Sequence, residues 1–117
     1  MTCLIVDDNS LFIEGAVALL TREGLNVVGT ASNSAEAIRL VTELCPDVTL
    51  VDIDLGDEDG FELAQQLDAI SSSNVILIST HAEEDLAQLI ERSPALGFIP
   101  KTRLSAQAIR DTLERAA

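Results

Sequence analysis

Residues 46–63 read PDVTLVDIDLGDEDGFEL, and that stretch decides the fold. Pro46 stops whatever precedes it. Asp47 to Val51 is then a short strand run, apolar on both faces if Thr49 counts as tolerated. A strand buried on both faces belongs to a parallel sheet covered by helices rather than to a sheet with one wet face. The run stops at Asp52, a loop from Ile53 to Asp59 follows, and Gly60 to Ile70 carries Leu63, Ala64, Leu67 and Ile70 at helical spacing. Two further strand runs end on charge. Cys3-Leu4-Ile5-Val6 leads into Asp7-Asp8, and Phe98-Ile99-Pro100 leads into Lys101.

The same alternation extends in both directions. Residues 2–7 read as a strand and Asn9 to Glu23 as a helix, with Phe12, Ala16, Leu19 and Leu20 on its apolar face. Gly24 ends that helix, as a glycine just past a helix commonly does. Asn26 to Ala31 is a second strand. Asn33 with Glu36 resembles a capping box opening a helix through Leu44. Beyond the central stretch, Ser71-Ser72-Ser73-Asn74 is a turn and Val75 to Ile78 a fourth strand. Ala82 to Arg92 is a helix closed by Pro94, with Leu86, Leu89 and Ile90 on one face. Phe98 to Pro100 is a short fifth strand that its proline assigns to a sheet edge, and Leu104 to Glu114 is the last helix. Five strand–helix units imply an α/β, doubly wound, five-stranded parallel sheet in one domain over residues 1–117. A flavodoxin-like strand order 2-1-3-4-5 sets the strands ending at Asp8 and Asp52 side by side at the switch point, where open α/β sheets bind ligands.

Convergent carboxylates restrict the chemistry. At ~4 Å and an effective dielectric near 20, two of them repel by about 4 kcal/mol. A hard divalent cation relieves that repulsion, and Mg²⁺ takes a few carboxylate oxygens, keeps waters and engages phosphate. The net charge of −13, from 20 acids against 7 basic residues, argues against direct nucleic-acid binding, which needs Lys and Arg to displace counterions. No run of 18 apolar residues and no signal-type N-terminus is present, so the expected location is cytoplasmic, away from the membrane. Cys3 and Cys45 are in neither zinc nor redox spacing and read as two small buried hydrophobes. The acidic run Asp57-Glu58-Asp59 reads as a solvated loop, because Gly56 falls where a calcium loop needs a ligand.

With these residues in order, the chain resembles the receiver domain of two-component response regulators over essentially its whole length. The matching stretches are LIVDDN at Leu4 to Asn9, PDVTLVDIDLGDEDGFEL at Pro46 to Leu63, VILIST at Val75 to Thr80 and GFIPK at Gly97 to Lys101. Gly97 to Lys101 followed by Thr102 is similar to the LuxR/NarL-type subgroup. The resemblance implies that Asp52 accepts a phosphoryl group from a sensor histidine kinase in a Mg²⁺-dependent reaction, with Mn²⁺ able to substitute. It implies that Asp7, Asp8 and Asp52 hold the metal together with the backbone carbonyl of Asp54. Ser79 and Lys101 would contact the phosphoryl group, and Ser79 with Phe98 would form the switch. The face made by the fourth helix, fifth strand and fifth helix would bind a second copy or an output domain. Exposed parts of the first helix and the loop after the fifth strand would dock the kinase.

Taken singly, several of these residues have plainer uses. Asp7 or Asp8 would serve as a cap for the first helix, Ser79 for the fourth, Phe98 as core filling and His81 as an exposed loop residue. Gly56 stands where many receivers have proline, and Thr102 where proline commonly follows the lysine. Asp54 and Thr80 are expected to border the path of the hydrolytic water, with the bulk of Thr80 slowing hydrolysis. The acceptor reading makes this a phosphoprotein rather than a turnover enzyme. One alternative is a receiver-fold interaction module that works without phosphate. Another is a Mg²⁺-dependent phosphatase with the DxD nucleophile Asp52-Ile53-Asp54, although there the acidic pair follows the nucleophile rather than preceding it. A stand-alone receiver and the N-terminal half of a transcription factor fit the chain equally.

Overall fold

Strand-forming residues flanked by amphipathic stretches fold as their pattern requires. The computed structural model describes residues 1–71 and 74–116, except the side chain of Glu83. The elements are β1 (Thr2–Val6), α1 (Ser10–Arg22), β2 (Asn26–Ala31), α2 (Ser34–Leu44), β3 (Val48–Asp52), β4 (Asp54–Leu55), β5 (Glu58–Asp59), α3 (Gly60–Ile70), β6 (Asn74–Ser79), α4 (Glu83–Arg92), β7 (Gly97–Pro100) and α5 (Ala106–Ala116). β2-β1-β3-β6-β7 form one parallel sheet. This is the expected 2-1-3-4-5 order once the two-residue strands β4 and β5, which pair only with each other, are set aside. β7 is at the edge, as Pro100 requires.

Successive strand residues face opposite layers. Leu4, Val6, Val51, Val75, Leu77 and Phe98 pack with Ala37 and Val41 of α2 and with Leu63, Ala64 and Leu67 of α3; Leu86 and Ile90 of α4 lie against them. Cys3, Ile5, Val48, Leu50, Ile76, Ile78 and Ile99 pack with Ala16 and Leu20 of α1 and with Ala106 and Ile109 of α5. Three helices therefore cover one face and two the other. Every residue of β3 is buried, so the strand that ends in Asp52 lies at the centre of the molecule.

The element ends differ from the sequence expectation where side chains cap. Asn9 precedes α1 and accepts from the N–H groups of Leu11 and Phe12, at 3.1 and 3.2 Å, so no aspartate caps that helix. Asn33 accepts from Glu36 N–H at 2.9 Å, but Glu36 reaches back one residue further than a capping box would, to Ser32 N–H at 2.9 Å. The expected loop 53–59 is a hairpin. Its two-residue connection, Gly56-Asp57, has glycine first at φ +65°, where two-residue hairpin loops commonly carry one. Proline, locked near −65°, is excluded at that position. The last helix begins at Ala106, not Leu104, because Lys101–Arg103 form a single 3-10 turn before it. Cys3 is buried as expected, whereas Cys45 is exposed in the left-handed position just past α2, at φ 46°. Of the expected turn at 71–74, Ser72 and Ser73 fall outside the described residues, as does Ala117. No helix among the described residues is long and apolar enough to cross a membrane.

Candidate phosphoacceptor and metal site

Three strand ends bring the charged groups together. β1 delivers Asp7 and Asp8, its neighbour β3 delivers Asp52, and β7 delivers Lys101 across the intervening β6. Asp7 is fully buried, Asp52 is 4% exposed and Asp8 is exposed. One carboxylate oxygen from each of the three lies within 4.8 Å of the others, the only such group of three acids among the described residues. The run Asp57-Glu58-Asp59 makes no second cluster. Asp59 instead caps α3 by accepting from Phe61 N–H at 2.9 Å, and Glu58 accepts from Ser34 N–H at 2.8 Å.

Lys101 is the cluster's cation. Its Nζ stands 2.7 Å from Asp7 Oδ2 and 3.2 Å from Asp52 Oδ2, with only 11% of the side chain exposed. It also lies over the ring of Phe12, 4.4 Å from the centroid, a contact that fixes the flexible stem. Burial pulls the ammonium's pKa down, but hydrogen bonding and the charges of Asp7 and Asp52 outweigh it, and the net shift is upward. Asp52 is raised as well, from the ordinary carboxylate value of 3.8 to about 6. Burial is the largest cause and the charge of Asp7 the second, only partly offset by Lys101 and by the N–H of Asp54.

The donor set fits a hard cation. Asp7 Oδ1 accepts from Asn9 N–H at 2.9 Å, but Asp7 Oδ2 has no hydrogen-bond donor among the described residues. The charge that faces that oxygen is Lys101 Nζ, 2.7 Å away. A buried carboxylate oxygen that faces one ammonium and has two further carboxylates within reach fits the oxygen-donor set of a divalent ion.

Two glycines shape the cradle. A Cβ on Gly60 would collide with the carbonyl oxygen of Asp52 and lie 2.7 Å from Ile53 Cα, so only glycine lets α3 start against the Asp52 backbone. Gly60 N–H donates to Ile53 carbonyl at 2.9 Å and fixes that approach. A Cβ on Gly56 would come 3.2 Å from Asp8 Oδ2. Neither contact is apparent from the local sequence, because both depend on how the hairpin folds back over the strand ends.

The remaining expected residues flank the cluster. Ser79, fully buried at the end of β6, accepts from His81 N–H at 3.0 Å, and the N-terminal position of α4 is Ala82 without a side-chain cap. Ser79 therefore does not cap α4. Asp52 Oδ1 accepts from Asp54 N–H at 3.2 Å. The Asp54 carboxylate is directed outward, 3.0 Å from His81 Nε2, so the loop histidine is exposed as expected but engaged. Thr80 is exposed beside it. Phe98 is 8% exposed and packs in the core layer beneath α4, the plain role its sequence context allowed.

Comparison with known proteins assigns the chain to a family. Residues 3–114 match the response regulator receiver domain family. The transcriptional regulatory protein LiaR of Bacillus subtilis is 30% identical over 97% of this chain and 54% of its own length. The probable transcriptional regulatory protein NarL of Mycobacterium tuberculosis is 33% identical over 94% of this chain and 52% of its own. The chain thus spans about half the length of these relatives. The solved signal receiver domain of the putative response regulator NarL from M. tuberculosis superposes with a TM-score of 0.82 at 32% identity, covering 98% of this chain and 94% of that one.

Proposed function

The chain belongs to the response regulator receiver domain family, and from that premise we propose that Asp52 accepts a phosphoryl group from a sensor histidine kinase and thereby switches an interaction face. The observation that carries the proposal is a buried Asp52 carboxylate with Lys101 Nζ at 3.2 Å and two further carboxylates within 4.8 Å. Residues 1–117 form the receiver as one domain.

A carboxylate oxygen of Asp52 attacks phosphorus while the P–N bond to the donor imidazole breaks, and the bonding pair leaves on nitrogen. Lys101 stabilises the charge on the transferring phosphoryl oxygens as a point charge already in place. Asp7, Asp8, Asp52 and the backbone carbonyl of Asp54 would hold Mg²⁺, or Mn²⁺ in its place. When bound, the ion would offset carboxylate repulsion and supply positive charge beside the phosphoryl oxygens. Asp54 N–H keeps the acceptor oriented. Ser79 hydrogen-bonds the phosphoryl oxygen once it arrives, and Phe98 repacks as that hydroxyl moves, altering the surface made by α4, β7 and α5 for a second copy or an output domain. The kinase docks where Leu11 of α1, 78% exposed, lies beside Phe12 and Lys101.

The test is intact mass after incubation with acetyl phosphate. One phosphoryl mass is gained with Mg²⁺, and none without metal or in Asp52→Asn. No gain under any condition would make this a phosphate-independent interaction module.

A further inference from the structure

We propose that Phe12 is a positioning residue for phosphoryl transfer, its ring face holding the Lys101 ammonium toward Asp52; this rests on the phosphoacceptor reading above. Lys101 Nζ stands 4.4 Å from the Phe12 ring centroid, within the range where a ring's quadrupole attracts a cation. The same nitrogen is 2.7 Å from Asp7 Oδ2 and 3.2 Å from Asp52 Oδ2, so the ring adds an uncharged hold to two charged ones.

Two observations separate this ring from ordinary core filling. The first is how its backbone is fixed. Asn9 N–H donates to Asp7 Oδ1 at 2.9 Å, and Asn9 Oδ1 accepts from Phe12 N–H at 3.2 Å. A closed circuit therefore runs from Asp7 through Asn9 and Phe12 to Lys101 and back to Asp7 Oδ2. That circuit sets the start of α1 against the turn that follows β7. The second is where the ring stands. Phe12 is only partly buried, and with Leu11, Leu19, Lys101 and Leu104 it lines a hollow of about 280 Å³. The ring leaves that hollow unfilled and is placed against the ammonium instead.

An uncharged hold matters for transfer. Lys101 faces oxygens that a bound divalent ion would also draw on, and its stem has several rotatable bonds through which the ammonium can drift. The ring offers a hard ion no oxygen, so its hold on Nζ persists when the carboxylates are engaged.

The test weakens the π face while keeping the shape of the side chain. In the full chain with Mg²⁺ and acetyl phosphate, a trifluorinated phenylalanine at position 12 is expected to slow phosphoryl uptake roughly two- to fivefold relative to wild type. Phe12→Leu slows it at least as much, and Phe12→Tyr, which keeps an electron-rich face, retains most of the wild-type rate. Leu19→Ala alters the same hollow but keeps the ring, and leaves the rate unchanged. Wild-type uptake with the fluorinated ring overturns the proposal, as does Phe12→Tyr behaving like Phe12→Leu or Leu19→Ala slowing uptake as much as Phe12→Leu.

Carbon-13 relaxation of the Lys101 ε-methylene reads the contact without any phosphoryl group. Its motion is expected to increase in Phe12→Leu, both metal-free and with Mg²⁺ present. Unchanged motion with Mg²⁺ also overturns the proposal. A wild type that never gains a phosphoryl mass, together with a freed methylene in Phe12→Leu, would instead remove the acceptor reading and leave the hold of Phe12 on Lys101 intact.

Discussion

The two ends of β3 each carry an aspartate, and the two stand in opposite conditions. Asp47, just before the strand, is exposed and accepts from the N–H and hydroxyl of Thr2 at 2.7 and 3.1 Å, while its own N–H donates to Thr2 Oγ1 at 2.9 Å. Those hydrogen bonds, the backbone one foremost, lower its pKa. Asp52, at the other end, is buried beside a second carboxylate and is pushed up to about 6. One residue type, five positions apart, stitches β1 to β3 at the bottom of the sheet and concentrates unrelieved charge at the top. The stitched end is complete by itself. The charged end sets three carboxylates against one ammonium.

Breaking the charged end should have the largest effect. Lys101→Met leaves Asp7 and Asp52 facing each other without their cation and should destabilise the metal-free protein by about 3 kcal/mol in urea melts at neutral pH. Mg²⁺ should restore part of that loss, and its failure to do so would argue against a shared metal site. Gly60→Ala should cost about 2 kcal/mol, because the added methyl meets the backbone of Asp52 and Ile53 rather than a flexible side chain. It should also lower the yield of phosphoryl transfer.

Asp52→Asn works in the opposite direction. By removing one of two repelling buried carboxylates it should stabilise the metal-free protein by about 1–2 kcal/mol near pH 7. The pH dependence follows from the same shift. Between about pH 4 and 6 the folded chain keeps a proton on Asp52 that the unfolded chain has lost, so metal-free stability from this group falls as pH rises. Asp52→Asn should flatten that slope.

At the stitched end, Asp47→Asn should have the smallest effect, with the reverse sign. The Asp47 contribution is present above its ordinary pKa and fades as pH falls, so the variant should differ from wild type near neutrality and converge with it in acid. Equal sensitivity at the two ends in these melts would erase the contrast.

Much of the charged end was legible because it follows from strand termini. A parallel sheet with short, two-sidedly apolar strands aligns their C-terminal ends, so acids one residue past Val6 and Val51 had to meet. The lysine after β7 belonged to the same edge. What the chain could not reveal locally was anything made by two turns at once. Gly60 looks like a routine helix start until the carbonyl of Asp52 is seen beside it, and Gly56 like a lost proline until its φ is known. His81 looks like a solvated loop residue because its partner, Asp54, is 27 positions away. The exposure of Cys45 had a faint signal in the Pro46 that follows, since a helix forced to stop there leaves its last residue outside the core. The 3-10 turn at Lys101–Arg103 had none, because a single tight turn carries no periodicity.

The most direct test of the account is reductive trapping of the phosphorylated chain. Borohydride converts an aspartyl phosphate to homoserine, and peptide mapping then locates it among the chain's 20 acids. Homoserine at position 52 alone, and only after incubation with Mg²⁺ and acetyl phosphate, is the predicted result. Homoserine at any other aspartate, or none in a chain that has gained the phosphoryl mass, would contradict the claim that the charge gathered at the end of β3 serves phosphoryl transfer.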